Sequence, residues 1–318
     1  LYPFNSSRVG ECVYITSRSA CHLDRSGEMT IIVESAPHHP RNEGSMAAVN
    51  VERFRVFPNN RFHLTDIDSN DSGLESDGER SEIEDRLKHN LHSLRDLQAR
   101  LYAERERALL IILLATDTGG KDSTIRRIFS GVNPQGCRVV SFGRPTEEEL
   151  SHDFLWRVHR HTPSRGLIGI FNRSHYEDVT VPRVKGDIDH DELLRRYEHI
   201  RNFESLLHDS GVTILKFHLS ISKDEQAERL QDRLEDPGKH WKFDPSDIED
   251  REHWAEYQTA FEDAVNATST DHAPWFVVPA NRKWFRDAVI SRIIVQTLKR
   301  MDPQYPPPVE NLDTYEVR

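Results

Sequence analysis

Residues 108–115 form an unbroken apolar run, and the chain then turns through Thr116, Asp117, Thr118, Gly119 and Gly120 to Lys121. A run so short and so uniformly apolar predicts a strand buried on both faces of a parallel sheet. Residues 125–129 carry a helical pattern, so the unit reads as strand, glycine turn, helix. That order aims backbone N–H groups and a helix N-terminus at one point, which suits a phosphate, and Lys121 adds a point charge. The strict phosphate-loop pattern G-x-x-x-x-G-K-[ST] is not met, because Ala115 stands at the first Gly place and Asp122 follows the lysine. Asp117 is the informative departure: a carboxylate in an anion cradle repels phosphate unless a cation sits between them, and Mg²⁺ bridging Asp117 to phosphate oxygens resolves that conflict. On pattern alone, Gly119 and Gly120 also describe a plain strand-to-helix turn with Lys121 solvated.

Further strands are predicted at 138–142, 166–171, 213–220 and 275–278, separated by helical patterns, and this alternation predicts an α/β sandwich. Before them, Ile83, Leu87, Leu91, Leu94, Leu97 and Leu101 recur at steps of three and four, the apolar stripe of an amphipathic helix, with Ser81 and Glu84 as its capping box. Residues 66–79, rich in Asp, Ser and Gly, read as a solvated linker. Residues 1–45 show no sustained periodicity, and Met46 is the candidate start of the natural chain. The first 50 residues are therefore left unassigned, as a disordered or non-native extension, and 51–318 form the functional domain.

At the end of the predicted strand 166–171 stand Asn172, Arg173, Ser174, His175, Tyr176, Glu177 and Asp178. Ligands of open α/β sheets bind outside the carboxyl ends of strands, so this cluster and the cradle are expected to share a crevice. Arg173 offers a planar fork for a transferring phosphoryl group, or else pairs with Glu177 at a helix start. Ser174 and His175 make no hydrolase pair, since chain neighbours rarely face one another and no G-x-S-x-G elbow exists. The highly charged stretch 223–263 predicts a pair of helices standing away from the sheet, with Arg229 and Arg233 on one face and Lys239 and Lys242 in the following turn. Its place between the last two strands makes about 222–265 the expected lid.

Composition narrows the function. The 42 Lys and Arg against 53 Asp and Glu give a net charge of −11, which disfavours nonspecific nucleic-acid binding while permitting a local cationic cleft. The longest apolar run is far too short to span a bilayer, so no membrane role is expected. Three cysteines, Cys12, Cys21 and Cys137, make neither a disulfide framework nor a zinc site, and a reducing, cytoplasmic setting follows. The 17 histidines contain no H-E-x-x-H pattern.

Eight ordered stretches carry a resemblance: DTGGKD at 117–122, GVNPQG at 131–136, PTEEEL at 145–150, DFLWRVHR at 153–160, FNRSHYED at 171–178, DPGKHWKF at 236–243, NATST at 266–270 and PWFVVPANRKW at 274–284. With them the sequence resembles the family-2 polyphosphate kinases over about residues 54–303. The resemblance implies a three-layer α/β/α P-loop kinase-like fold with a parallel sheet and a helical lid. It implies Mg²⁺-dependent phosphoryl transfer between inorganic polyphosphate and adenine nucleotides by a homo-oligomer, a dimer or tetramer. Asp117, Lys121 and Arg173 would then be catalytic, with Asp117 on the metal. Gly119, Gly120, Asp122, Ser123, Thr124, Arg126, Arg127, Arg229, Arg233, Lys239 and Lys242 would hold phosphate, and Asn172, His175, Tyr176 and Glu177 the nucleotide. Many relatives have Asp-Arg where this chain has Asn172-Arg173, and the Asn-Arg-Ser-His-Tyr form resembles the subgroup acting on AMP, often on ADP too. Two rivals remain at this point, an ATP-dependent nucleotide kinase and a noncatalytic polyphosphate-binding module.

Overall fold

The computed structural model describes residues 20–23, 29–32, 50–72 and 78–317. Two units separate by their contacts, one within residues 1–47 and one comprising 48–318. In the first, β1 (Ala20–Leu23) pairs antiparallel with β2 (Met29–Ile32), Ala20 opposite Ile32. The expectation of a disordered or non-native extension otherwise falls outside the described residues.

The second unit is a six-stranded sheet between two helical layers. Its elements in chain order are β3 (Arg55–Val56), α1 (Gly78–Glu104), β4 (Ala108–Leu114), α2 (Lys121–Ile128), β5 (Cys137–Ser141), α3 (Glu147–Leu150), α4 (Trp156–His159), β6 (Ile168–Asn172), α5 (Glu177–Lys185), α6 (His190–Asp209), β7 (Val212–Ser220), α7 (Lys223–Glu235), α8 (Ser246–Glu252), α9 (Trp254–Thr268), β8 (Trp275–Pro279) and α10 (Lys283–Met301). The strand order is β3-β8-β7-β4-β6-β5, with only the short β3 antiparallel. Central β4 shows why the pattern is uniformly apolar: alternate residues serve two separate cores. Leu109, Ile111 and Leu113 pack with the apolar faces of α1, α2 and α10. Ala108, Leu110, Ile112 and Leu114 pack with those of α5, α6 and α9. Successive crossovers leave β4 on opposite sides, toward β5 and β6 and then toward β7 and β8, so a crevice opens at its carboxyl end.

Three expectations need correction. Helix α1 begins at Gly78, so Ser81 lies inside it rather than capping it. The Glu84 carboxylate, assigned to the capping box, instead accepts from Arg80 Nε at 2.9 Å. The described part of the supposed linker is tied to the sheet at residues 69–72: Asn281 donates its backbone N–H to Ser69 O at 3.2 Å and its side-chain amide to Asn70 at 2.9 Å, and Arg282 donates to Ser72 Oγ at 2.9 Å. Polar side chains that read as solvated are here partners for the strand ends. The charged stretch forms three helices rather than two, and α9 does not stand away: Tyr257, Phe261, Ala264 and Val265 are buried against α5 and α6. Their helical spacing is outweighed in the sequence by the charges before them. No helix among the described residues is long and apolar enough to cross a membrane.

Candidate active site

The cradle is shaped by two left-handed residues, Thr118 (φ 60°) and Gly120 (φ 100°), the second a conformation that glycine adopts without strain. A Cβ on Gly119 would lie 2.5 Å from Ala115 Cβ and 2.9 Å from Thr116 O. Ala115 at the usual glycine place thus makes Gly119 obligatory. Behind Gly120 lies the guanidinium of Arg286, fully buried on α10, which donates to Ser123 Oγ at 3.2 Å and pairs with Asp287 at 2.7 Å. Lys121 opens α2 and folds back, its ammonium donating to Ala115 O at 2.8 Å and Thr116 O at 3.2 Å. Burial first, and then the Arg173 charge, pull the Lys121 pKa below the ordinary lysine range.

At the end of β6, Arg173 takes up the left-handed conformation (φ 63°), strained for a residue with a Cβ by about 1–3 kcal/mol. Its guanidinium Nη2 donates to Asp117 Oδ1 at 2.6 Å. The Asn172 amide donates to Asp122 Oδ1, also at 2.6 Å. Of the two roles open to Arg173 from pattern, the direct partner is therefore the cradle rather than Glu177. The latter lies close by, and burial pushes its carboxyl up against the opposing pull of Arg173 and Lys121.

Both turns open on one cavity of about 2190 Å³. The structure brings together on its lining Asp117, Gly119, Gly120, Lys121, Asp122, Ser123, Arg126, Asn172, Arg173, Glu177, Arg229, Arg233, Lys239 and Lys242. Four predicted residues are elsewhere. Thr124 is buried, its hydroxyl donating to Gly120 O at 3.0 Å. Arg127 is exposed on α2 and does not line the cavity. His175 and Tyr176, expected on the nucleotide, have no exposed surface and point into the core, where the Tyr176 hydroxyl meets Glu204 at 2.8 Å. The turn directs Asn172, Arg173 and Glu177 outward and the residues between them inward.

The cations of the stretch expected to be a lid are already engaged. Arg229 donates to Thr118 O at 3.0 Å and Ala280 O at 2.8 Å while pairing with Glu225 at 2.7 Å, so it braces the cradle from α7. Arg233 pairs with Asp247 at 2.8 Å, Lys239 with Asp232 at 2.7 Å, and Lys242 with Asp122 at 3.6 Å. Sequence reasoning assigned no role to Arg157, Asp247, Lys283 or Arg286. Arg157 joins Gly143 O at 2.9 Å to Asp178 at 3.0 Å. Its signal was its place in the 153–160 motif, whereas Arg286 carries none, because its partner Ser123 lies 163 positions away.

Among the described residues no group of three or more metal-type side chains could cage a cation. The donor set suits a hard divalent ion held by one or two carboxylates together with ligand phosphates. Asp117 faces the cavity, and Asp247 is pushed up to about 6 by burial and by the nearby Asp117 charge, a repulsion that a cation between them would relieve.

Comparison with known proteins agrees with this architecture. The model of the family described as polyphosphate kinase 2 matches residues 77–306. An AMP/ADP-polyphosphate phosphotransferase of Meiothermus ruber is 50% identical over 258 residues, 81% of this chain and 96% of that protein. An ADP-polyphosphate phosphotransferase of Rhodopseudomonas palustris is 43% identical over 232 residues, 69% of this chain and 80% of that one. The crystal structure of polyphosphate kinase 2 from Arthrobacter aurescens TC1 superposes with a TM-score of 0.80 at 38% identity, covering 85% of this chain and 96% of that one. With the family model spanning most of its length, the chain belongs to the polyphosphate kinase 2 family.

Proposed function

We propose that this cavity carries out phosphoryl transfer from inorganic polyphosphate to AMP and ADP, reversibly, giving ADP and ATP. The observation that carries the reading is the meeting of two strand ends: Arg173 of the β6 turn touches Asp117 of the cradle at 2.6 Å on the same cavity wall as Lys121. In this reading a phosphate oxygen of the nucleotide attacks the terminal phosphorus of polyphosphate in line. One P–O bond forms, the bridging P–O bond to the shortened polyphosphate breaks, and no covalent protein intermediate is required. Lys121 exchanges the carbonyls of Ala115 and Thr116 for phosphate oxygens, and Arg173 offers N–H groups to the transferring group. Catalysis is then positioning plus electrostatics. The divalent cation is taken as Mg²⁺, held by Asp117 with Asp247 nearby; when bound it supplies positive charge against the crowded phosphate oxygens.

Action on both AMP and ADP is supported by Asn172 at the end of β6 and by the 50% identical relative of Meiothermus ruber, an AMP/ADP-polyphosphate phosphotransferase. The same reading includes a cytoplasmic setting and a dimer or tetramer, the latter open to sedimentation equilibrium. The test is to incubate the protein with Mg²⁺, polyphosphate and either AMP or ADP, and to resolve the nucleotides by anion exchange. ADP and ATP formed from AMP are expected. ATP formed only from ADP would remove the meaning given to Asn172, and turnover only with ATP as donor would replace the reading by an ordinary nucleotide kinase.

A further inference from the structure

Beneath the β6–α5 turn lies a polar cluster with no exposed surface and no contact with the cavity. Lys216 on β7 donates to Glu204 Oε2 on α6 at 2.6 Å, to Thr268 O at the end of α9 at 2.8 Å, and to the Tyr176 hydroxyl oxygen at 3.0 Å. The Tyr176 hydroxyl donates to Glu204 Oε1 at 2.8 Å, with Thr268 Oγ1 3.0 Å away. Trp275 on β8 donates its indole N–H to Thr268 Oγ1 at 2.9 Å and packs edge-on to the Tyr176 ring at 4.7 Å. His175 Nε2 stands 3.4 Å from Glu204 Oε1. Lys216, Glu204, Tyr176, His175, Thr268 and Trp275 are each 0% exposed. Burial, the largest influence on both members of the ion pair, pulls Lys216 down; on Glu204 it is outweighed by Lys216 and His175, which hold the carboxyl below its ordinary range.

A buried ion pair is weak evidence for stability as such, because apolar side chains of equal volume would fill the space at no desolvation cost. What this cluster does geometrically is join four elements, α6, β7, α9 and β8, to two successive residues of one turn. Those residues, His175 and Tyr176, are flanked by Arg173 and Glu177, both on the cavity. Arg173 also holds the strained left-handed conformation that lets its side chain turn toward Asp117. Such a conformation persists only where the surroundings over-determine it.

We propose that Tyr176, Glu204, Lys216 and Thr268 are positioning residues for the phosphoryl-transfer reaction: the buried network anchors the turn from below and so fixes Arg173 against the cradle. The inference rests on the function proposed above. It predicts that the network acts on rate through Arg173, not merely on stability.

The test is a double-mutant cycle on kcat and on KM for polyphosphate and AMP, using the full chain. Tyr176→Phe removes one hydroxyl and leaves the Lys216–Glu204 pair intact, whereas Lys216→Met risks unfolding. Tyr176→Phe is expected to lower kcat about tenfold in the native background and less than about twofold in an Arg173→Lys background, because the same misplacement is lost only once. Thr268→Val is expected to behave like Tyr176→Phe, and Thr268→Ser, which keeps the acceptor, to retain native kcat. Effects of Tyr176→Phe and Arg173→Lys that multiply fully would overturn the inference, as would a Tyr176→Phe variant with native kcat. Turnover that depends on Arg173 but ignores the network sinks this inference alone. A native chain without polyphosphate-dependent turnover sinks it together with the function on which it rests.

Discussion

The two turns that build the site follow neighbouring parallel strands, and both pass through the left-handed region, yet their backbone paths are set in different ways. The path of the β4–α2 cradle is set within its own segment, where Gly119 and Gly120 permit the backbone course and Lys121 is held by carbonyls five and six residues back, while Arg229 and Arg286 brace it from outside. The β6–α5 turn has no glycine and places Arg173 at φ 63°, supported by side chains 28 to 92 residues distant from Tyr176. Lys216, charged and paired, lies beneath Tyr176, whereas His218 is neutral, its pKa lowered to about 3 by burial and then by the Lys121 charge. A phosphate cradle needs its backbone N–H groups aimed, which glycine geometry achieves, while a reaching arginine needs its Cα fixed, which calls for a buried anchor.

The largest effect that would sharpen this contrast is at the cradle's own charges. Lys121→Ala and Asp117→Asn should each lower turnover by about 10³-fold or more while circular dichroism stays native, since the proposed reaction has both groups act on the transferring charge. Residual activity within tenfold of native would mean that the cradle is not the reaction centre. Next comes backbone geometry: Gly119→Ala brings a Cβ to 2.5 Å from Ala115 Cβ and should cost about 100-fold in kcat, the scale of misplacing a site by about an ångström. Adding Ala115→Gly should recover part of that loss, and no recovery would show that the contact with Thr116 O dominates.

A smaller effect concerns the buried neutral ring of His218, which packs on Phe261. The folded-state pKa of His218, about 3, is below the unfolded value, so the unfolded chain takes up the proton first as pH falls. Its contribution is fully present above the unfolded pKa near 6.5 and drains away as pH falls toward 3, amounting to about 2 kcal/mol by pH 5. Urea unfolding of His218→Leu at pH 7 and pH 5 should show a stability loss on acidification smaller by that amount. An unchanged acid slope would place His218 outside the linkage. Smallest of all, raising salt from 50 to 200 mM should weaken polyphosphate binding severalfold more than AMP binding, because the longer polyanion crosses more of the cationic lining. Equal slopes would remove the lid cations from the polyphosphate path.

What the sequence made legible divides along the same line. The cradle announces itself because strand, glycines and lysine are contiguous, and each of the five parallel strands overlaps its predicted stretch: β4 and β8 are buried throughout and read as apolar runs, whereas the edge strand β5 is largely exposed and β7 carries Lys216 and His218 among its apolar residues. Asn172, Arg173 and Glu177 were visible as polar residues at a strand end, but which neighbours turn inward was not. His175 and Tyr176 look as polar as Arg173 until Glu204, Lys216 and Thr268 are placed beneath them. Arg229 read as a phosphate ligand, and only the folded chain puts the Thr118 and Ala280 carbonyls within its reach. Long-range pairs of this kind leave no local spacing for a sequence pattern to reveal.

The most direct test of the account follows the phosphoryl group itself. Polyphosphate labelled with ³²P, incubated with unlabelled AMP, Mg²⁺ and the protein, should deliver label to the β-phosphate of ADP and then to ATP, and Lys121→Ala should abolish the transfer. Label appearing only as inorganic phosphate, or remaining in polyphosphate while a parallel incubation with unlabelled ATP added converts ATP and AMP to ADP, would contradict it.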